Sequence, residues 1–275
     1  MRISFHTVGL NNTPLREIIR RVGEAGYAGI ELGCEDIPWA PPAILPGLPA
    51  DELAELVALC RASNLAVSAI GGHIPMVSAD PMVRRQAIDF VNGCTDLAVA
   101  FGAPVNHILS GQLPEGLSRS DGWRQFCDAV AETTDYAKSH GIELGIEGVF
   151  ANLFRQVEDY RQLTRDLPDT PWKVNCDLSH LVVHGEDPYR LIEEFGDRIA
   201  HVHVKDGDGL YPDFTFPPLG KGKLDFDRVF DLLRAAGYQG WTSVEYEAQA
   251  FGWQDPEDIR LKAGLDFCRR HVAPA

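Results

Sequence analysis

Four side chains that could bind a metal ion or transfer a proton stand at or near the ends of four successive strand-like segments. The segments cover residues 142–147, 172–177, 199–204 and 241–246, and the side chains are Glu147, Asp177, His203 and Glu245. Because side chains alternate between the two faces of a strand, each of the four shares its face with the residue two positions earlier. If these strands are neighbours in one closed sheet, three carboxylates and one imidazole converge on one point.

Three carboxylates buried together repel one another, and each is costly to desolvate unless it is paired or bound to a metal. A divalent cation removes both penalties. Mixed oxygen and nitrogen ligands suit Mn²⁺, Co²⁺, Mg²⁺ or Zn²⁺ and do not select among them. The four residues, named here the ligand set, therefore predict a divalent-metal site, although any one of them could instead be a helix cap or a surface charge. Glu247 has the same parity as Glu245 and is a rival ligand.

Further polar side chains near the strand ends are candidates for contacting a substrate. His180 follows Asp177 by three residues and lies just beyond the strand. The first four strand-like segments supply candidates that could line a pocket or pack in the core, namely His6, Glu31, His73 and His107. Asp206 could bind a metal, but bracing the loop that follows it is the simpler interpretation.

The elements that must position these residues alternate regularly along the chain. Strand-like segments cover residues 3–6, 29–32, 65–70, 104–109, 142–147, 172–177, 199–204 and 241–246. Helical patterns lie between them at residues 14–25, 51–63, 80–101, 121–140, 157–167, 188–195, 225–236 and 256–271, with Asp51 and Asp225 as predicted N-caps. Eight strand–helix units predict an α/β fold, a (β/α)8 TIM barrel that forms a single domain over residues 1–275. A doubly wound sheet is the rival, but no Gly-x-Gly-x-x-Gly turn follows the first strand.

Two segments are long for strand-to-helix connections, and both are expected on the C-terminal face of the barrel, where such enzymes bind substrate. Residues 34–50 are rich in proline and apolar side chains around Trp39, and residues 207–224 carry aromatic residues and Lys221-Gly-Lys223. Trp39 is interpreted as part of a lid or of a subunit contact. The apolar residues 37–49 predict a homo-oligomer or a hetero-oligomer assembled through this loop.

Composition narrows the class of protein. A formal net charge of −15 argues against a nucleic-acid or anionic-membrane surface. The six cysteines form no CxxC pair, which is typical of reduced thiols in a cytoplasmic protein. The first residues lack the apolar core of a signal peptide, and no apolar run approaches the roughly 18 residues of a membrane helix. A cytoplasmic location is therefore expected.

Several motifs in this chain resemble those of the sugar phosphate isomerase/epimerase group of xylose-isomerase-like barrels. The matching motifs are Asp177-Leu-Ser-His-Leu181, Phe195-Gly-Asp-Arg-Ile-Ala-His-Val-His-Val-Lys-Asp206, Leu219-Gly-Lys-Gly-Lys-Leu-Asp225 and Gly237-Tyr-Gln-Gly-Trp-Thr-Ser-Val-Glu245. The resemblance covers nearly the whole chain and is densest between Glu147 and Glu245. It implies a divalent metal ion, with Mn²⁺ expected first, held by the ligand set, and a substrate-facing role for His180.

One position departs from the pattern of the group. Ketose 3-epimerases of this group hold the sugar with an arginine a few positions after the metal-binding histidine, whereas Gly209 stands at that place here. Recognition of the sugar must therefore differ, with Lys205, Lys221 and Lys223 as the alternatives. His6, His73 and His107 remain candidate substrate ligands beside His180.

The chemistry expected of this site is enolisation of a carbohydrate, with Glu147 and Glu245 as the catalytic pair. One removes a proton and the other returns it, which describes a divalent-metal-dependent isomerase or epimerase acting on a sugar or keto-sugar through a metal-stabilised enediolate. Elimination from the same enediolate would instead make the protein a lyase, a dehydratase or a C- or O-deglycosidase acting on a 3-keto-glycoside.

Two other classes compete with the sugar enzyme. Abasic-site endonucleases share the barrel and much of the ligand set, but residues 207–224 contain no histidine to complete their site, and the chain is acidic. A non-catalytic subunit is the third class, and the complete ligand set argues against it. Gly220-Lys-Gly-Lys223 is a weak candidate for binding phosphate and is better explained as a turn.

Overall fold

The computed structural model describes residues 1–35, 37 and 39–272. Residues 36 and 38 of the predicted loop and residues 273–275 of the predicted domain lie outside the described residues. The strands are β1 (Arg2–His6), β2 (Gly29–Gly33), β3 (Ala66–Gly71), β4 (Val105–Ile108), β5 (Glu143–Ile146), β6 (Lys173–Asp177), β7 (Ile199–Val204), β8 (Asp208–Leu210), β9 (Asp213–Thr215) and β10 (Trp241–Val244). The helices are α1 (Leu15–Ala25), α2 (Ala50–Ala62), α3 (Pro81–Phe101), α4 (Arg119–Ser139), α5 (Val157–Asp166), α6 (Leu178–His184), α7 (Arg190–Phe195), α8 (Phe226–Ala235) and α9 (Glu257–Val272).

Eight of these strands close into a barrel, in the order β1-β10-β7-β6-β5-β4-β3-β2, and every neighbouring pair is parallel. The predicted (β/α)8 barrel is therefore confirmed. Outward-facing strand residues such as Ile146, Val174 and Val202 join helix residues such as Phe126 and Leu163 in one buried apolar core. The inward-facing residues of the same strands form the polar interior of the barrel.

Local sequence signals set most helix ends. Asp80 caps α3 by accepting a hydrogen bond from the Met82 N–H at 2.8 Å, and Pro81 occupies the first turn. Asp225 caps α8 as predicted. The prediction of Asp51 as an N-cap was wrong, because α2 begins at Ala50 and Asp51 lies inside its first turn. A carboxylate at that position still interacts favourably with the helix dipole.

The helix α6 and the hairpin of β8 and β9 were not predicted. The short helix α6 starts directly after Asp177, whose Oδ1 accepts hydrogen bonds from the Ser179 N–H and Oγ at 2.9 and 2.7 Å. Residues 207–224 are not a plain loop, because β8 and β9 pair as an antiparallel hairpin within them. Both elements are only a few residues long, too short to produce a clear hydrophobic period.

Asp206 braces the segment that follows β7, as predicted. Its carboxylate accepts hydrogen bonds from the N–H groups of Gly207, Gly220, Gly222 and Leu224 at 2.8 to 3.2 Å. The Gly220-Lys-Gly-Lys223 turn therefore has two of its N–H groups engaged by a carboxylate. Among the described residues, no helix has both the length and the apolar character needed to cross a bilayer.

Candidate functional site

The ligand set comes together at the C-terminal end of the barrel. One ligand atom from each of Glu147, Asp177, His203 and Glu245 lies within 4.8 Å of all the others. The His203 Nδ1 atom is 3.2 Å from Glu245 Oε2, 3.7 Å from Glu147 Oε1 and 3.8 Å from Asp177 Oδ2. Strand register explains the convergence, since Asp177 on β6 and Ser243 on β10 are both level with His203 on β7.

The donor atoms of this cluster fit a divalent cation. Asp177 Oδ2, His203 Nδ1 and Glu245 Oε2 are buried and have no partner with hydrogen-bond geometry among the described residues. Buried polar atoms without well-aligned hydrogen bonds are costly, and a shared positive charge in addition to the Lys205 ammonium would stabilise all three. The mixed nitrogen and oxygen donors are those that Mn²⁺, Co²⁺ or Zn²⁺ accept.

The carboxylates around His203 favour its protonated form. Burial lowers the pKa of His203, but Glu245, Glu31 and Glu147 outweigh it and raise that pKa well above 6.5. Burial likewise raises the pKa of Glu147, but His203, His180 and His73 hold it well below 4.5. A cation bound here must therefore displace the proton of an imidazolium.

Lys205 brings a second positive charge to the cluster. Its Nζ atom lies 2.8 Å from Asp177 Oδ2, 2.6 Å from Glu245 Oε2 and 3.1 Å from Glu247 Oε2, and the side chain is 3% exposed. Burial lowers the pKa of Lys205, but these three carboxylates raise it well above 10.5. The ammonium is thus a fixed charge among the carboxylates. Glu247, the rival ligand, pairs with Lys205 and is not part of the cluster around His203.

A layer of histidines beneath the ligand set is organised by Glu31. Its Oε1 atom lies 2.6 Å from His107 Nε2 and 2.9 Å from His203 Nε2, and its Oε2 atom lies 2.9 Å from His201 Nε2. Burial raises the pKa of Glu31, but His203, His201 and His6 together hold it well below 4.5. Sequence reasoning left Glu31 as one of several pocket candidates. The available signal was a carboxylate in a strand that is otherwise apolar.

A sequence model described as xylose isomerase-like TIM barrel matches residues 19–271. The chain belongs to this family. It is 23% identical over 258 residues to a fructoselysine 3-epimerase of Shigella flexneri, covering 89% of this chain and 90% of the relative. An inosose dehydratase of Bacillus thuringiensis (strain Al Hakam) is 34% identical over 168 residues, covering 52% of this chain and 55% of that protein. The crystal structure of IolI protein with a bound zinc atom superposes with a TM-score of 0.80 at 16% identity, covering 99% of this chain and 98% of that one.

This xylose isomerase-like barrel has a cavity of about 190 Å³ directly above the ligand set. Of the residues predicted to contact substrate, His73, His180 and Lys205 line it together with Glu147 and Glu245. His180 Nε2 lies 3.2 Å from Glu147 Oε1, and His73 Nε2 lies 3.3 Å from Glu147 Oε2. These contacts place both imidazoles beside one carboxylate of the ligand set.

The other predicted substrate residues do not line this cavity. His6 and His107 are 1% and 0% exposed and lie in the histidine layer around Glu31, so the barrel register places them below the cavity surface. Burial lowers the pKa of His107 to about 3, which keeps that imidazole neutral. Lys223 pairs with Asp208 at 3.5 Å, and Lys221 lines a neighbouring cavity that Glu245 also borders, whereas Lys205 lines the cavity that contains both Glu147 and Glu245.

The long loop after β2 contributes to the cavity wall. Ile37 and Trp39 line the cavity, and Ala40 and Ile44 are buried. Among the described residues of this loop, the large apolar side chain that is exposed is that of Leu45, at 45%. The lid interpretation of Trp39 agrees with this position, and the predicted contact with another subunit remains a prediction.

Proposed function

We propose that this protein is a divalent-metal-dependent isomerase or epimerase that acts on a sugar or keto-sugar by enolisation. The observation that carries the proposal is the position of Glu147 and Glu245. Both line one cavity and both belong to the same cluster of candidate metal-ligand atoms. The fructoselysine 3-epimerase similar to this chain over most of its length supports the reaction class.

The ligand set would hold the cation, and we propose Mn²⁺ as the native ion from the family resemblance. When bound, a divalent cation polarises a substrate carbonyl and acidifies the adjacent C–H group. His203 is placed to give one nitrogen ligand while Glu31 holds the other ring nitrogen. The bound zinc of the IolI structure shows that a barrel of this shape accommodates a divalent ion in another protein.

Glu147 and Glu245 would carry the proton. Both carboxyl groups have pKa values held well below 4.5 in spite of burial, in each case with His203 as the strongest opposing charge. A bound cation would replace the charge of His203 and keep both carboxyl groups ionised, so that either can accept a proton from carbon. Delivery of a proton to the opposite face of the same carbon by the other carboxyl group, which would first take up that proton from solvent, gives an epimer. Delivery of the abstracted proton to the neighbouring carbon gives an aldose–ketose isomer.

His180 and Lys205 would hold the substrate oxygens. His180 Nε2 lies 3.3 Å from Lys205 Nζ, so the two side chains present neighbouring polar atoms to the cavity. His180 Nδ1 is buried and has no partner among the described residues. The ammonium of Lys205 takes the part that an arginine has in ketose 3-epimerases of this group.

A lyase reaction is the second candidate. The same loss of a carbon-bound proton, followed by departure of a substituent β to the carbonyl, gives a dehydration or releases an aglycone as its alcohol. The inosose dehydratase that is 34% identical over about half of the chain supports this outcome. Proton abstraction is common to both reactions, so the same exchange experiment tests both.

The test is deuterium incorporation. Protein loaded with Mn²⁺ is incubated in D₂O with ketoses, 3-keto-glycosides and inososes, and the products are examined by mass spectrometry. Deuterium in an isomeric product supports the isomerase or epimerase, and loss of water or of an aglycone supports the lyase. Absence of exchange from every compound, with the metal content verified, contradicts the proposal.

A further inference from the structure

The cavity above the ligand set is lined by two kinds of side chain. Polar groups of the ligand set, His73, His180 and Lys205 line one part. The remainder is mostly apolar, formed by Ile37, Trp39, Leu109, Val149, Phe150, Phe216 and Phe251. An unsubstituted monosaccharide has hydroxyl groups on nearly every carbon, and a hydroxyl group buried without a hydrogen-bond partner is costly. The apolar part of the cavity is therefore poorly suited to a bare sugar.

The aromatic residues of the lining form one continuous surface. Phe216 lies 5.9 Å from Phe150 and 5.4 Å from Phe251 between ring centroids, and Phe214 packs against both at 4.5 and 5.4 Å. The rings come from the segments after β5, β7 and β10, so three separate connections build this aromatic wall. Such a surface binds a flat apolar ring by offset or edge-to-face packing.

The aromatic wall reaches the polar groups proposed to hold the sugar. Phe216 lies 5.2 Å from the His180 ring between centroids, and Lys205 Nζ lies 4.7 Å from the centroid of Phe216. Phe150 lies 5.5 Å from the His180 ring. A sugar held by His180 and Lys205 would therefore have its substituent against the aromatic wall.

The charge of the cavity disfavours an anionic substituent. Glu35, Glu147, Glu245 and Glu247 line it, and Asp177 lies just beneath. Lys205 is the one lysine or arginine in the lining formed by the described residues, and it is already paired with three carboxylates. A phosphate or carboxylate group on the substrate would therefore meet several carboxyl groups and no lysine or arginine that is not already paired, which disfavours its binding.

From these observations we infer that the substrate is an uncharged keto-sugar linked to an aromatic group, an aryl keto-glycoside. The inference rests on the proposed function, because the sugar must reach Glu147 and Glu245 while its aromatic group occupies the wall. It goes beyond that function in assigning Phe150, Phe216 and Phe251 to recognition of the substituent.

Equilibrium binding tests the assignment without turnover. Phenyl β-D-glucoside is titrated into the metal-loaded protein by calorimetry, with methyl β-D-glucoside and glucose 6-phosphate as comparisons. We expect the phenyl compound to bind at least tenfold more tightly than either. In the Phe150→Ala and Phe251→Ala variants this preference should fall severalfold, while Phe267→Ala, which removes a ring from α9 away from the cavity, should leave it unchanged. Equal affinity for the phenyl and methyl compounds would overturn the inference.

Exchange in D₂O separates failure of this inference from failure of the proposed function. The phenyl and methyl 3-keto-glucosides and a free ketose are compared at equal concentration, with circular dichroism to verify that each variant is folded. Faster exchange from the phenyl compound, by tenfold or more in kcat/KM, supports the inference. Equal or faster exchange from the small sugars overturns it and leaves enolisation standing. No exchange from any of them overturns both.

Discussion

Glu31 Oε1 lies 2.9 Å from one ring nitrogen of His203, while the other ring nitrogen lies 3.2 Å from Glu245 Oε2. The imidazole is thus held between a carboxylate that lies below the site and a carboxylate within it. A carboxylate behind a metal-binding histidine orients the ring and increases the basicity of the nitrogen that faces the metal. The layer around Glu31 therefore belongs to the same functional unit as the ligand set.

Replacing Glu31 by glutamine should weaken metal binding without removing any proposed ligand. Loss of such a supporting carboxylate typically lowers metal affinity about 10- to 100-fold. The dissociation constant of Mn²⁺ measured by calorimetry checks this value. The matched control is Glu35→Gln, since Glu35 lies 3.4 Å from His6 and makes no contact with His203 among the described interactions. Equal affinities of the wild-type protein and the Glu31 variant would contradict the proposed role.

Replacing Glu147 or Glu245 by glutamine should reduce turnover to less than about a tenth of the wild-type value, because a positioned general base contributes roughly 10²- to 10⁴-fold. Initial rates of deuterium exchange, with metal content measured on the same samples, separate loss of the base from loss of the ion. Glu247→Gln is the control for metal content, because Glu247 pairs with Lys205 and lies outside the ligand cluster. A variant at Glu147 or Glu245 that keeps more than a tenth of the activity would remove that residue from the catalytic pair.

Replacing Lys205 by methionine should destabilise the metal-free protein by about 3 to 5 kcal/mol, the usual cost of removing one partner from a buried ion pair. The physical reason is that Asp177, Glu245 and Glu247 lose their nearest cation. Urea unfolding at neutral pH measures the change. Addition of Glu247→Gln should restore part of the stability by removing one unpaired carboxylate, and a double variant no more stable than Lys205→Met would contradict this explanation.

Replacing Asp206 by alanine should loosen residues 207–224. The side chain accepts hydrogen bonds from the N–H groups of four residues in that segment. A hydrogen bond to a charged group contributes about 1.5 to 3 kcal/mol to the free energy of unfolding, less whatever the segment recovers by rearranging in the variant. Faster proteolysis within the segment, and a free energy of unfolding lower by about 2 kcal/mol or more, are expected. Asp208→Ala is the control, since Asp208 is half-buried near Lys223 and accepts one local hydrogen bond from the backbone. Equal protease sensitivity of the two variants would contradict the bracing role.

The sequence was sufficient to predict the barrel and the meeting of the ligand set. Alternation along a strand is a local property, and eight strand–helix units leave little choice of topology. Residues at the ends of adjacent parallel strands, such as Asp177 and His203, must then lie at the same level. This reasoning requires only the period of the pattern and the order of the strands, both of which are visible in the chain.

The tertiary structure decided which inward-facing residues lie at the cavity surface and which lie below it. His107 and His180 both stand near strand ends, yet one is buried beside Glu31 and the other lines the cavity. Depth depends on strand tilt and on register shifts such as the one between Val174 and Asn175, which no local pattern records. The contacts of Glu31 with His203 and His201 join residues 172 and 170 positions apart across the barrel. These contacts exist only once the barrel closes, because its curvature brings side chains from non-adjacent strands to a common interior.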